Sequence, residues 1–150
     1  MTSTNINPDN PCTKEKILDS AERLFAIKGY HNTSLREITS SANVNLASVN
    51  YHFGSKENLL KSVYERRLVP MNDIRFGLLD EIEEKCRIEN RKPEVREILR
   101  AFVDPTLRLI ESGEGWMEFS MLVGRALNEP DNNQADPFLK LVIPLFVRMF

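Results

Sequence analysis

The chain has 150 residues, 41% hydrophobic and 28% charged, with a formal net charge of −2. That length affords one or two small modules with a real core, and that charge argues against a simple nucleic-acid coat. No apolar run approaches the roughly 20 residues of a membrane-spanning helix, so no membrane partner is expected, and MTSTNINPDNPC lacks the basic-then-apolar pattern of a secretory signal.

Cys12 and Cys86 are the only cysteines and stand far apart without metal-ligand spacing, so neither a disulfide framework nor a metal site is expected, and a reducing cytoplasm is the expected location. The charges are unevenly spread. Residues 1–67 carry nine Lys/Arg against seven Asp/Glu, and residues 68–150 carry eleven against fifteen, which places the basic end at the N-terminus.

Residues 1–12 read as a polar, disordered arm. A first helix follows, with Ile17, Ala21, Leu24 and Phe25 on one face, Thr13 as its cap and Gly29 at its end. Ser34 and Glu37 fit a capping box opening a short second helix with Leu35, Ile38 and Ala42 as its stripe. Asn43 tolerates a left-handed backbone, Val44 plugs the turn, and Asn45 caps a third helix over about Leu46 to Phe53. Gly54 ends it, and Ser55 caps a fourth helix carrying Leu59, Leu60, Val63 and Tyr64. Short helices joined by a tight turn of this kind match a helix-turn-helix unit.

Beyond Pro70 the pattern predicts helices at about 71–88, 94–111, 115–127 and 137–150, with the linkers ENRKP and NEPDNNQADP between them. Pro105 and Pro144 fall inside two of these, where kinks or breaks are expected. The fold class is therefore all-α: an N-terminal three-helix bundle with a helix-turn-helix over residues 13–67, and a helical body over 68–150. The final PFLKLVIPLFVRMF stops mid-stripe on Phe150, which leads to the expectation that the sequence is a truncated form of a longer polypeptide.

Catalytic constellations are missing. His31 and His52 are the only histidines, no serine sits in a G-x-S-x-G elbow, and there is no phosphate-binding loop or dinucleotide fingerprint. Asp80, Glu81, Glu83 and Glu84 beside Lys85 and Arg87 read as a solvated charged face. Neither catalytic residues, nor a cofactor, nor a metal are expected, and the protein is not read as an enzyme.

The third helix holds a different inventory. Asn45, Ser48, Asn50, Tyr51 and His52 both donate and accept hydrogen bonds, and Asn pairs bidentately with adenine in the major groove. Ala47 permits close approach, while Val49 and Phe53 point the opposite way. By spacing alone these polar groups either read DNA or decorate a solvent face. Hydroxyl-bearing helix starts at Thr13, Thr33/Ser34 and Ser55, with Lys14 and Lys56 nearby and Arg36 on the second helix, supply anchors for phosphate.

ILDSAERLFAIKGYHNTSLREITSSANVNLASVNYHFGSKENLLKSVYERR resembles the DNA-binding domain of the tetracycline-repressor (TetR) family of bacterial transcription regulators. The likeness rests on the A-x-x-L-F run from Ala21 to Tyr30, the segment Thr33 to Ile38, and the run from Tyr51 to Leu59. It implies a homodimer of all-helical subunits whose body binds a small molecule and moves the DNA-reading heads. By position it implies base or groove contacts at Asn45, Leu46, Ala47, Ser48, Asn50, Tyr51 and His52, and phosphate contacts at Thr33 and Lys56. Asn43 and Ala47 stand where glycine is usual, and Asn50 where a phosphate-contacting tyrosine is frequent.

The reading helix together with LVGRALNEPD is also similar to a subgroup that includes fatty-acid- and acyl-CoA-responsive regulators, which implies a small hydrophobic effector. The body's Phe102, Trp116 and Phe119 suit an apolar pocket, although each alone equally suits a helical core. Arg125 either meets a ligand carboxylate or pairs with Glu118 or Glu129. The expected function is a ligand-responsive repressor binding a palindromic double-stranded operator. The alternative is a DNA-binding regulator without small-molecule input, whose body only dimerises or binds a protein.

Overall fold

A computed structural model of the chain describes residues 11–113, 115–128 and 135–149, in which every element is an α-helix. They are α1 (Pro11–Lys28), α2 (Leu35–Ala42), α3 (Leu46–Phe53), α4 (Lys56–Ile88), α5 (Val95–Ser112), α6 (Trp116–Asn128) and α7 (Ala135–Met149). Most of the expected N-terminal arm, most of the second linker with Glu129, and Phe150 lie outside the described residues.

Two expectations about helix ends need correction. Thr13 does not cap α1: the helix begins at Pro11, and Thr13 lies inside it, buried. The prolines also fail to interrupt their helices. Pro70 lies within the continuous 33-residue α4, Pro105 within α5 and Pro144 within α7. An interior proline costs about 3 kcal/mol of helix propensity. Burial on both sides offsets it here, through Leu68 and Met71 around Pro70 and Val142 and Leu145 around Pro144, while Pro105 is itself buried.

The chain divides into two compact units. The first holds the chain up to residue 64 together with 118–138, and the second holds 65–117 and 139 onward. In the first, α1 packs on α2 and α3, and α2 on α3. Ile17, Ala21, Phe25, Ile38, Val49, Leu59, Leu60 and Val63 are all fully buried there. Tyr64 is sealed as well, its ring 6.2 Å from Phe119 and 5.7 Å from Phe138. In the second, Leu79, Ala101, Leu145 and Met149 form the buried cluster, with Phe76, Leu78, Ile82, Ile98 and Phe102 packed against it. The acidic face of α4 is tied down at its edge, where Arg148 pairs with Asp80 and Glu83 and Arg87 pairs with Glu84.

The start of α2 is closed by the expected capping box. The Ser34 N–H donates to Glu37 Oε2 at 2.8 Å, and the Glu37 N–H donates to Ser34 Oγ at 3.2 Å. Lys28 Nζ donates to the other carboxylate oxygen at 2.6 Å. The Lys28 bond first, then the Ser34 N–H and hydroxyl, push the Glu37 carboxyl down from 4.5 to about 2. A depressed carboxyl stabilises the fold above its unfolded value and loses that contribution as pH falls through its folded value. We therefore expect urea melts of wild type and Glu37→Gln to differ by a constant gap near neutrality, and the gap to shrink between about pH 4.5 and pH 2. A gap that persists unchanged below pH 2 would contradict this.

Candidate nucleic-acid interface

The turn between α2 and α3 is built from three residues. Asn43 adopts φ 53 and ψ 48, the left-handed region, and its N–H returns to Thr39 O and Ser40 O. The Val44 N–H donates to Thr39 O at 3.0 Å. Asn45 is extended and caps α3, its Oδ1 accepting the Ser48 N–H at 2.8 Å and the Ser48 hydroxyl at 2.9 Å. At the far end Gly54 has φ +75, a backbone that a residue with a Cβ rarely adopts. Its N–H closes α3 onto Asn50 O at 3.0 Å. The Ser55 hydroxyl then accepts the Asn58 N–H at 3.1 Å and opens α4.

These caps give α3 two faces. Ser48, Val49 and Phe53 are buried, while Leu46, Ala47, Asn50 and Tyr51 share the exposed side, with Tyr51 64% exposed. Positions one, four and five apart fall on one side of a helix, so this grouping follows from the 3.6-residue repeat. His52 is half-buried, edge-on to Tyr51 at 5.2 Å, and among the described residues its buried Nε2 has no hydrogen-bond partner.

Three residues expected at the interface are used elsewhere. Ser48 is 1% exposed and turned onto Asn45. Asn45 is exposed but its carbonyl oxygen is spent on the cap, so it lacks the free acceptor that bidentate pairing with adenine requires. Thr33 is buried, and its hydroxyl donates to Gly29 O at 2.8 Å and Leu24 O at 3.3 Å, tying the α1–α2 connection together. The signal for Ser48 was present in the sequence, because the residue three beyond an N-cap folds back onto it.

Two cations lie on the helices either side of α3 in the chain, Arg36 on α2 and Lys56 at the start of α4. Arg36 is exposed on α2. Lys56 Nζ lies 4.2 Å from the Tyr30 ring centroid, within cation–π range. Burial lowers its pKa and the Glu37 carboxylate opposes that shift.

The expected effector residues are divided between the two units. Phe102 and Trp116 belong to the second unit, and Phe119 and Arg125 to the first. Trp116 and Phe119 are buried, and Phe102 is half-buried with its ring 5.4 Å from Phe146. Arg125 is committed to α1: Nε donates to Ala26 O at 2.7 Å and Nη2 to Ile27 O at 2.9 Å. The last carbonyls of a helix have no partner of their own and carry the negative end of its dipole, so a guanidinium is a fitting cap. An open cleft of about 410 Å³ lies instead in the second unit, lined by Ile74, Leu78, Ile82, Ala101, Pro105 and Leu109 with Glu81, Glu97, Arg100, Asp104 and Arg108 around it.

Residues 17–63 match the family described as "Bacterial regulatory proteins, tetR family". That segment of the chain is similar to this family, and the match extends over α1 to α4 only as far as residue 63. Bacillus subtilis YttP, described as a probable HTH-type transcriptional regulator, is 47% identical over 57 residues, covering 35% of this chain and 28% of YttP. Staphylococcus aureus IcaR, the HTH-type negative transcriptional regulator of the icaADBC biofilm operon, is 49% identical over 53 residues, covering 35% of this chain and 26% of IcaR. The chain thus matches about a quarter of the length of these relatives. A solved Clostridium perfringens structure, provisionally named a fatty acid metabolism regulator, superposes with a TM-score of 0.62 at 26% identity, covering 89% of this chain and 67% of that one.

The Arg125 clamp joins α6 to α1, the helix that packs on α2 and α3. Removing it leaves two carbonyls of α1 without their charged donor. Because the Ile27 end is open to solvent, the low end of the range for charged hydrogen bonds applies, about 1–2 kcal/mol. Urea denaturation of Arg125→Ala should show that loss and Arg125→Lys a smaller one, and equal midpoints for all three proteins would refute the clamp.

Proposed function

We propose that the protein is a transcriptional repressor that binds a palindromic double-stranded DNA operator as a homodimer, acts in the cytoplasm, and leaves DNA when a small hydrophobic effector binds. The observation that carries this reading is the two-faced α3: its core side is sealed by Val49 and Phe53, and its other side offers Leu46, Ala47, Asn50 and Tyr51 to solvent without one formal charge. A reading surface of this kind draws specificity from Asn50 and Tyr51, and close approach from Ala47. Affinity comes from phosphate contacts by Lys56 and Arg36, which set register without reading sequence. The free N–H groups at the start of α4 add a further site for a phosphate oxygen.

A homodimer fits a two-fold operator when its reading helices stand about 34–36 Å apart, one turn of DNA. An effector that binds better to an arrangement with another spacing shifts the population away from DNA. The role of IcaR as a negative regulator supports repression, and the naming of the Clostridium perfringens protein as a fatty acid metabolism regulator supports an effector of fatty-acid or acyl-CoA type.

Selection of bound fragments from sheared genomic DNA, followed by gel shifts across a salt series, tests the reading. Asn50→Ala should cost about 1–3 kcal/mol of discrimination at one operator position and leave the salt dependence unchanged. Lys56→Ala should weaken all operators alike and reduce the salt slope by about one. Failure to enrich any fragment, or identical effects of both variants on every operator, would refute the assignment.

A further inference from the structure

Tyr30 stands just past the end of α1, where the chain turns toward α2. Gly29 before it has φ 85, and the Gly29 N–H closes α1 onto Phe25 O at 3.0 Å. The Thr33 N–H donates to Tyr30 O at 3.3 Å, and the Thr33 hydroxyl fastens the same turn to Gly29 O. The half-buried Tyr30 ring rests on the sealed Phe25 ring, with centroids 5.5 Å apart. Backbone and side chain are therefore both held, and the ring is a fixed platform at the edge of the first unit's core.

Lys56 begins α4 and lays its ammonium on that platform, Nζ 4.2 Å from the ring centroid. Among the described residues no hydrogen bond or ion pair engages that ammonium. The Glu37 carboxylate acts on Lys56 from α2, but its oxygens are already engaged. Oε1 accepts from Lys28 at 2.6 Å, and Oε2 accepts from the Ser34 N–H at 2.8 Å and the Ser34 hydroxyl at 2.9 Å. Lys28 and Lys56 thus share the influence of one acid, and only Lys28 is paired with it.

A lysine head on its four-carbon stem otherwise ranges through many rotamers, and fixing such a side chain on binding costs affinity. A carboxylate partner would fix Lys56 and cancel the charge that draws a phosphate. A ring fixes it through its quadrupole, keeps the charge, and leaves the N–H groups turned away from the ring free for oxygen acceptors. The start of α4 also leaves its first backbone N–H groups unpaired, so the ammonium is held beside a second set of donors for the same anion.

We infer that Tyr30 is a positioning residue for DNA binding: its ring holds the Lys56 ammonium ready for a phosphate oxygen without neutralising it. This rests on the DNA reading above and adds to it a residue that acts through Lys56.

The test uses the whole chain and a duplex fragment enriched by wild type, in gel shifts at one salt concentration. Tyr30→Phe keeps the ring and should bind within about twofold of wild type. Tyr30→Leu keeps apolar bulk against Phe25 but loses the ring, and should bind about three- to tenfold more weakly. In a Lys56→Ala background Tyr30→Leu should cost nothing further, because the ring then has no ammonium to hold. A role in folding alone would weaken binding equally in both backgrounds. Tyr30→Met takes the place of Tyr30→Leu if that variant does not fold. NMR of the free protein reads the same contact without DNA. The ring should shift the Lys56 side-chain methylene protons upfield in wild type and Tyr30→Phe, and not in Tyr30→Leu. Undiminished binding by Tyr30→Leu, an equal loss in the Lys56→Ala background, or unshifted Lys56 protons in wild type overturns the inference and leaves the DNA reading standing. Failure of wild type to enrich any fragment removes the DNA reading and this inference with it.

Discussion

Between α2 and α3 the chain changes direction over Asn43, Val44 and Asn45, and which side of α3 is exposed follows from that turn. Both helices have only eight residues, too few to be stable alone in water. They persist because their ends are capped and their inner faces are buried in the first unit. A left-handed Asn43 followed at once by an extended Asn45 sets where α3 starts. The start sets which residues face outward, and a cap displaced by one residue would rotate α3 by about 100° and bring Asn50 inward.

The polar residues of the domain divide into those buried in turns and caps and those exposed on α3. Thr33, Ser48 and the Asn45 carbonyl oxygen all bond within the chain and stabilise turns and caps. Asn50 and Tyr51 stay exposed at the outer surface, beside Leu46 and Ala47. The segment therefore shows one polar composition with two uses, and hydrogen-bond geometry separates them. Leu46, Ala47, Asn50 and Tyr51 carry no formal charge, so the exposed face of α3 is polar without being charged.

Three arginines illustrate a different kind of assignment. Arg125 bonds to carbonyls 99 and 98 residues away, Arg75 reaches across 27 and 31 residues, and Arg148 pairs across 68 and 65. The residue types are the same, yet one caps a helix, one is sealed among neutral groups and one forms an exposed ion pair. Long, flexible side chains take the role that their tertiary surroundings allow.

What the sequence by itself determined is local. The capping box at Ser34 and Glu37, the left-handed Asn43, the Asn45 cap, the Gly54 stop and the Val49–Phe53 inner face each depend on residues within about one helical turn, so spacing and side-chain chemistry suffice to read them. What only the tertiary structure decided depends on distant groups. Pro70, Pro105 and Pro144 are carried inside continuous helices because burial around them outweighs a local cost. The partner of Arg125, the isolation of Arg75 and the position of the cleft follow from which helix faces meet, and that information is spread along the chain rather than held in any one segment.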